Sequence, residues 1–376
     1  MEEELLTNLR DQTKDNETYR FRDDDYYASK DYDMNDIKVP VLSVGNWGGI
    51  LLHLRGNIEG YLNAGSELRY LRLITGRHDL PFYGKENVEM QKSFLDAFLK
   101  GNDTQGWCTG QAPKVGMILR KGNVGYNDVE AEKQYPQRFE NEWPIARTEY
   151  TKYFLTMGKQ LVDSASYKIQ QSQPPYDPRP SKLSYKALGS LKSPELVQFV
   201  SEPFQAETEI TGHIVVHLNV SCSGITETPQ GPSELDLFLT LRHLDSTDKE
   251  ILYTGTVGDP VPVTKGWLRV SLRKTEANHP RSKPWHPHRE YRSTDVLPVK
   301  PGEVYGVDVE VWPTNVVVDK GNRLVLEVSS GDTQGAGLFE HTSAADRPRD
   351  SLEGWNHLNF GPEYDNYVLL PIIPAK

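Results

Sequence analysis

Ile214, Val216, Leu218, Val220 and Cys222 alternate with His213, Val215, His217, Asn219 and Ser221. This period of two puts five apolar side chains on one face of a single strand. The alternation returns at Leu235, Leu237, Leu239 and Leu241, at Leu268, Val270 and Leu272, at Val307, Val309 and Val311, and at Leu324, Leu326 and Val328. Pro301-Gly302 and Asp319-Lys320-Gly321-Asn322 supply turn residues between these runs. Many half-buried strands with no helix between them predict an antiparallel β-sandwich. The long connections favour a jelly roll over a meander, and the all-β domain is expected over residues 143–376. Cys222 then reads as core.

Upstream the period changes. Between Val39 and Gly101 the pattern is strand, helix, strand, helix, with strands expected at Val39–Val44 and near Tyr70–Ile74. Ile58, Tyr61 and Leu62 form a helical stripe closed by Gly65; Met90, Phe94, Ala97 and Phe98 form another closed by Gly101. Each glycine suits the left-handed conformation at a helix end. The short connections predict neighbouring parallel strands. Two strands alone leave both faces and both edges to be covered by the first 36 residues, the second domain, another copy or a separate chain. Residues 37–101 are therefore expected as an α/β unit and residues 102–142, which open on a Gly-rich stretch, as a linker with connecting strands. Residues 1–36 are acidic, with a stripe Leu5, Leu6, Leu9 and then Asp23-Asp24-Asp25-Tyr26-Tyr27, which is poor core material alone.

With 376 residues the chain can bury two cores, and its net charge of −11 predicts neither nucleic acid nor an anionic membrane as a partner. Two cysteines, Cys108 and Cys222, make no disulfide framework. Met1-Glu2-Glu3-Glu4 has neither the basic nor the apolar region of a signal peptide, and no run approaches the roughly 18 apolar residues of a spanning helix. A cytoplasmic location is expected, and the sequon Asn16-Glu17-Thr18 is expected to be unused.

Chemistry-bearing motifs are sparse. His78, in Thr75-Gly76-Arg77-His78-Asp79, follows the second strand and is placed to act as a general base, but no G-x-S-x-G nucleophile elbow occurs in the chain. The turn Gly45-Asn46-Trp47-Gly48-Gly49 lacks the spacing of a phosphate-binding loop and reads as a tight strand-to-helix connection. Cys108 reads as a linker cysteine. His279, His286 and His288 lie in a Pro-rich stretch that reads as an ordered inter-strand loop, so no metal and no cofactor are expected.

Several blocks carry a family resemblance: Lys38–Gly49, His78 with Phe82-Tyr83, Phe94–Gly101, Phe199–Pro203, Thr211-Gly212, Gly266–Arg269, Pro301–Tyr305, Val311–Thr314 and Tyr364–Tyr367. Through them the chain resembles the carboxy-terminal two-thirds of the cocaine esterase and X-prolyl dipeptidyl-peptidase group of serine hydrolases, from about Asp23 to Pro374. The resemblance implies the last strands of an α/β-hydrolase domain followed by a jelly roll, with residues 1–36 as a cap-like segment. It also implies that the loop containing His279, His286 and His288 packs the jelly roll on the hydrolase part. The family's catalytic histidine matches His78, its catalytic aspartate falls on Gly49, and its serine and oxyanion-hole tyrosine belong to an upstream half that has no counterpart here.

Three functions follow as expectations. The first is an ester or amide hydrolase, inactive or altered as this chain alone and completed by a separate amino-terminal half. The second is a non-hydrolytic, cyclase- or isomerase-like enzyme of a small metabolite. It would use His78 as acid or base in a cleft lined by Trp47, Phe82, Tyr83, Tyr26 and Tyr27. The third is a jelly-roll binding or assembly module, with self-association through exposed sheet edges.

Overall fold

The computed structural model describes residues 9, 11–50, 52–172, 179–225, 231–337 and 339–375. Leu5 and Leu6 of the amino-terminal stripe lie outside them. Among the described residues the first elements are two short helices, α1 (Gln12–Thr18) and α2 (Asp25–Ala28). A small sheet follows: β1 (Val41–Asn46), α3 (Leu54–Asn63), β2 (Arg69–Ile74), α4 (Lys85–Lys100), β3 (Val115–Ile118), a single helical turn α5 (Val129–Glu132) and β4 (Gln137–Glu140).

β1 pairs with β2 in parallel, Val41 opposite Arg69 through Asn46 opposite Ile74; β2 pairs with β3 in parallel, and β3 with β4 antiparallel. The outer edge of β1 has no neighbouring strand among the described residues. The strand starts at Val41, two residues later than expected, because Pro40 has no N–H to give to the ladder; Val41 N donates to Leu68 O at 2.9 Å. One face of the sheet packs Leu71, Leu73, Val115 and Met117 against Leu54, Ile58 and Tyr61 of α3 and against Trp143 and Ile145. The other packs Tyr70 against Phe94 and Ala97 of α4 and against Trp107.

Gly101 closes α4 in the left-handed region at φ 69°, as its position predicts. Gly65 does not close α3: Ala64 is the C-cap, at φ −60° and ψ 131°. Gly65 is required for a different reason, since a Cβ there would sit 2.1 Å from Asn35 O.

The all-β domain contains β5 (Glu149–Leu155), β6 (Gln160–Asp163), α6 (Ser164–Ser172), β7 (Ser181–Lys186), β8 (Leu196–Ser201), β9 (Thr208–Ser223) and β10 (Asp236–Leu244). Three two-residue strands follow, β11 (Glu250–Ile251), β12 (Tyr253–Thr254) and β13 (Pro260–Val261), then β14 (Thr264–Arg269), β15 (Tyr305–Val318), β16 (Arg323–Ser329), the turn α7 (Arg349–Leu352), β17 (Trp355–Phe360) and β18 (Tyr367–Ile373). Pairing runs β15-β14-β10-β16-β8-β6-β5-β18-β9, and β9 pairs back onto β15, so the path closes; β17 and β7 extend from β9.

The alternating residues of β9, β10, β15 and β16 meet inside this closed sheet, where Ile214, Val216, Leu237, Val309, Leu326 and Cys222 share one core. Leu272 departs from the expectation. β14 ends at Arg269 and Val270–Leu272 form a 3₁₀ turn, so Val270 still enters the core while Leu272 faces a cavity.

The small sheet and the β domain share buried polar contacts. Arg120, 1% exposed, donates to Asn315 O (2.7 Å), Thr314 Oγ1 (2.7 Å) and Val263 O (3.1 Å), with its guanidinium 4.2 Å from the Tyr253 ring centre. His286 is buried between Glu59 of α3, 3.8 Å away, and Glu310 of β15, 3.9 Å away. The Pro-rich histidine loop therefore lies between the two units.

Candidate functional site

Parallel strands end together, and the crevice beyond their carboxyl ends is where α/β sheets place ligands. β1 and β2 end at the Asn46–Ile74 pair, and Trp47 N extends the ladder by donating to Ile74 O at 2.9 Å. Asn46 organises both loops that leave this level. Its Nδ2 donates to Gly76 O at 2.9 Å and Arg77 O at 3.3 Å, while its Oδ1 accepts from Gly48 N at 2.8 Å. The β2 loop therefore folds back over the β1 turn. Gly76 makes the reversal at φ 93°, which a β-carbon would strain and also bring to 2.7 Å from Pro81 Cγ.

The β domain holds the same loops from the other side. His78 N donates to Thr256 O at 2.9 Å, and Thr256 Oγ1 donates to Gly48 O at 3.4 Å. Gly48 lies so close that a Cβ would be 1.9 Å from Thr254 O. Beneath the loop, Thr254 donates its hydroxyl to Glu132. Burial raises the Glu132 carboxyl above its ordinary range.

A cavity of about 260 Å³ opens at the strand ends, with His53, Asn57, His78, Asp79, Phe82 and Tyr83 in its wall. The His53 and His78 rings lie 4.8 Å apart, centre to centre, and are tilted by 52°. Phe82 and Tyr83 meet edge to face at 5.3 Å and are 41% and 73% exposed, forming an open aromatic rim. Gly49 also faces the cavity; a Cβ there would lie 3.1 Å from Asn46 O and 3.7 Å from Leu54 N.

Three expected wall residues are elsewhere. Trp47 is fully buried, donates its indole N–H to Ile118 O at 2.8 Å and packs on Trp143. It belongs to the core of the small sheet, because its side chain points to the face that α3 covers rather than past the strand ends. Tyr26 and Tyr27 are on α2, which the β domain captures: Asp23 accepts from Ser293 N and Oγ at 2.7 and 2.6 Å, and Arg22 pairs with Glu290. Tyr26 stacks on Tyr19, and Tyr27 borders a separate cavity of about 650 Å³ with Phe238, Trp267 and Arg269. The pairings inside that cavity are internal, as Arg269 and Arg347 both bind Asp236.

His53 and Asn46 escaped sequence reading. The only signal was position: Asn46 ends a strand, and His53 immediately precedes α3, so both fall at the level of the strand ends.

His279, His288 and Glu290 place ligand atoms within 4.8 Å of one another. The two imidazoles are stacked 3.9 Å apart and 11° from parallel, so no point within bonding distance of both rings lies in both ring planes, where the nitrogen lone pairs are. Arg22 and Arg292 already neutralise Glu290. The arrangement fits an ion-pair network that ties the amino-terminal segment down.

Residues 106–369 match the X-Pro dipeptidyl-peptidase C-terminal non-catalytic domain. The chain belongs to this family. Proteins similar to it include cocaine esterase of Rhodococcus, 22% identical over 317 residues, which are 77% of this chain and 46% of that enzyme. The chain thus spans about half the length of this relative. A CocE/NonD family hydrolase from Staphylococcus aureus superposes with a TM-score of 0.77 at 22% identity, over 98% of this chain and 60% of that one. An α-amino acid ester hydrolase superposes at 0.61, with 15% identity, over 98% of this chain and 61% of that one. The likeness to cocaine esterase and to these folds bears out the family expected from the sequence blocks. No helix among the described residues is long and apolar enough to cross a membrane.

Proposed function

We propose that this chain is the carboxy-terminal part of a CocE/NonD-like ester or amide hydrolase and supplies its general base, His78, to a site completed by a nucleophile-bearing segment. The observation that carries this reading is the position of His78 on the loop after β2, at the carboxyl ends of two parallel strands and near the edge of β1 that no strand among the described residues covers. In this reading β1 to β3 with α3 and α4 are the end of an α/β-hydrolase sheet, and the missing strands continue from β1. A serine becomes a useful nucleophile only when a base takes its proton, and the oxyanion needs donors worth about 3 kcal/mol each. Both belong to the missing segment. Gly49, where the family places its acid, leaves His78 without an orienting carboxylate, so this chain alone is inactive or altered.

The test is labelling with a fluorophosphonate serine-hydrolase probe, read by intact mass. The chain alone should carry no adduct. Mixed with the amino-terminal part of a related hydrolase, the added part should be labelled, and His78→Ala should abolish that labelling. An adduct on this chain alone, or complementation indifferent to His78, overturns the reading.

A second reading takes the His78 cavity, rimmed by Phe82 and Tyr83, as a non-hydrolytic small-molecule site. The open aromatic rim favours it. A ligand-induced rise in Tm that disappears in His78→Ala is its expected sign.

A further inference from the structure

The cavity of about 650 Å³ between the amino-terminal segment and the β domain shares no lining residue with the His78 cavity. Its size falls in the range, about 300–1,000 Å³, that takes a small organic ligand. β14 turns Leu268 into the core, so its neighbours Trp267 and Arg269 take the other face of the strand and line this cavity. Leu272, on the 3₁₀ turn that follows, and Val296 extend the apolar wall, and Tyr19 and Tyr27 line the cavity from the amino-terminal segment. Trp267 and Leu272 are half-buried and Val296 is 45% exposed, so part of this apolar surface is left to the cavity.

Charge narrows the ligand. Arg20, Arg22, Arg269 and Arg347 line the cavity. Three of these guanidiniums are matched within the protein: Arg269 pairs with Asp236 at 2.9 Å and Asp346 at 3.0 Å, Arg347 with Asp236 at 3.0 Å, and Arg22 with Asp31 at 2.7 Å and with Glu290. Arg20 has no ion pair among the described residues. Its Nη2 donates to Ala345 O at 2.8 Å, which holds the group at the cavity without neutralising it. Glu234, a carboxylate of the wall with no cation beside it among the described residues, is satisfied by backbone: its Oε1 accepts from Leu235 N at 3.0 Å and Ser271 N at 3.1 Å, and burial raises the carboxyl toward its neutral form. An apolar wall with one uncompensated guanidinium complements an apolar body that carries one carboxylate, whose two oxygens match the guanidinium fork.

We propose that this cavity binds an amphiphilic monocarboxylate of medium chain length, with its carboxylate on Arg20 and its apolar body against Trp267, Leu272 and Val296. Arg20 is exposed, so the charged head stays at the mouth, in contact with solvent, while the body leaves water. The ligand bridges the amino-terminal segment and the β domain. The site uses no residue of the His78 cavity and needs no second chain, so its failure and the failure of the hydrolase reading are independent.

The test is a calorimetric titration of the full chain with hexanoate, octanoate and decanoate, each below its micellar concentration, with octanamide as the uncharged control. The titrations are repeated on Arg20→Gln and Leu272→Gln, and thermal unfolding without ligand checks that each variant is folded. Affinity should rise by about fourfold per buried methylene along the acid series. Octanoate should bind about tenfold more tightly than octanamide, the value of a hydrogen bond to a charged group. Arg20→Gln should remove that preference and leave octanamide binding unchanged, which separates loss of the charge from a general effect on folding. Leu272→Gln should weaken both ligands. No octanoate binding by the wild type overturns the proposal. So does an amide bound as tightly as the acid, or octanoate binding that is unchanged in Arg20→Gln or in Leu272→Gln.

Discussion

Arg55 of α3 grips Glu310 of β15 through two hydrogen bonds, Nε to Oε1 at 2.7 Å and Nη2 to Oε2 at 2.9 Å. The pair joins the small sheet to the β domain. Although burial opposes its charge, the guanidinium holds the Glu310 carboxyl below the usual carboxylate range. Arg55→Ala would leave a buried carboxylate unpaired, and should lower stability by about 2 kcal/mol in urea unfolding. A carboxyl held low in the folded state stabilises above its unfolded pKa and loses that contribution as pH falls through its folded value. The gap between wild type and Arg55→Ala should therefore narrow in acid; a gap that is constant or widens below the carboxylate range contradicts the pairing.

His213 also weakens the fold in acid, by staying neutral where the unfolded chain is protonated. It is buried, accepts the Trp143 indole N–H at 3.0 Å, and burial with the neighbouring His286 pushes it down to about 3. Between its unfolded value, about 6.5, and about 3, the unfolded chain binds a proton that the folded chain refuses. Stability should fall as pH drops through that window, by up to about 1.4 kcal/mol per pH unit. His213→Gln should flatten the slope of urea midpoint against pH. An unchanged slope would mean that His213 is not held neutral.

Gly48 should tolerate no side chain. A Cβ there meets the Thr254 carbonyl oxygen at 1.9 Å, a backbone atom that cannot swing aside. Gly48→Ala should cost about 2 kcal/mol or more and loosen the contact between the His78 loop and the β domain. Faster hydrogen exchange at the His78 amide, which donates to Thr256 O, is the specific readout.

Trp47→Ala should destabilise strongly, by about 3–5 kcal/mol, because it empties a fully buried indole site. It should not act by removing a cavity wall. A Trp47→Phe variant that keeps most of the stability should bind any ligand of the His78 cavity with wild-type affinity, and a specific loss of binding there would place Trp47 back in the site.

Gly49→Asp probes the acid the family would supply. The position faces the cavity, and a Cβ would need only a few tenths of an ångström of adjustment near Asn46 O. The variant alone should remain unlabelled by a fluorophosphonate, because an orienting carboxylate does not replace a missing nucleophile. In the complemented mixture it should raise the labelling rate.

Local periodicity determined much of this protein before any folding was considered. The alternation at Ile214–Cys222 and Leu235–Leu241 dictates which face of each strand is apolar, because successive side chains in a strand point opposite ways. Gly101 and the stripe ending at Phe98 likewise mark a helix and its stop. The placement of His78 on the loop after the second strand was legible from position in the same way. What the tertiary structure decided depends on contacts between residues far apart in sequence. The closure of β9 onto β15 joins residues 85 to 110 positions apart, and the need for Gly65 arises from Asn35 O. Trp47 reads as a cleft residue in sequence and becomes core only because α3 and Trp143 cover its face of the sheet. Tyr26 and Tyr27 are drawn to the β domain by Asp23 and Arg22 of their own segment, through Ser293 and Glu290. His53 reaches His78 because two parallel strands end at the same level, and register between strands is a property of the folded sheet.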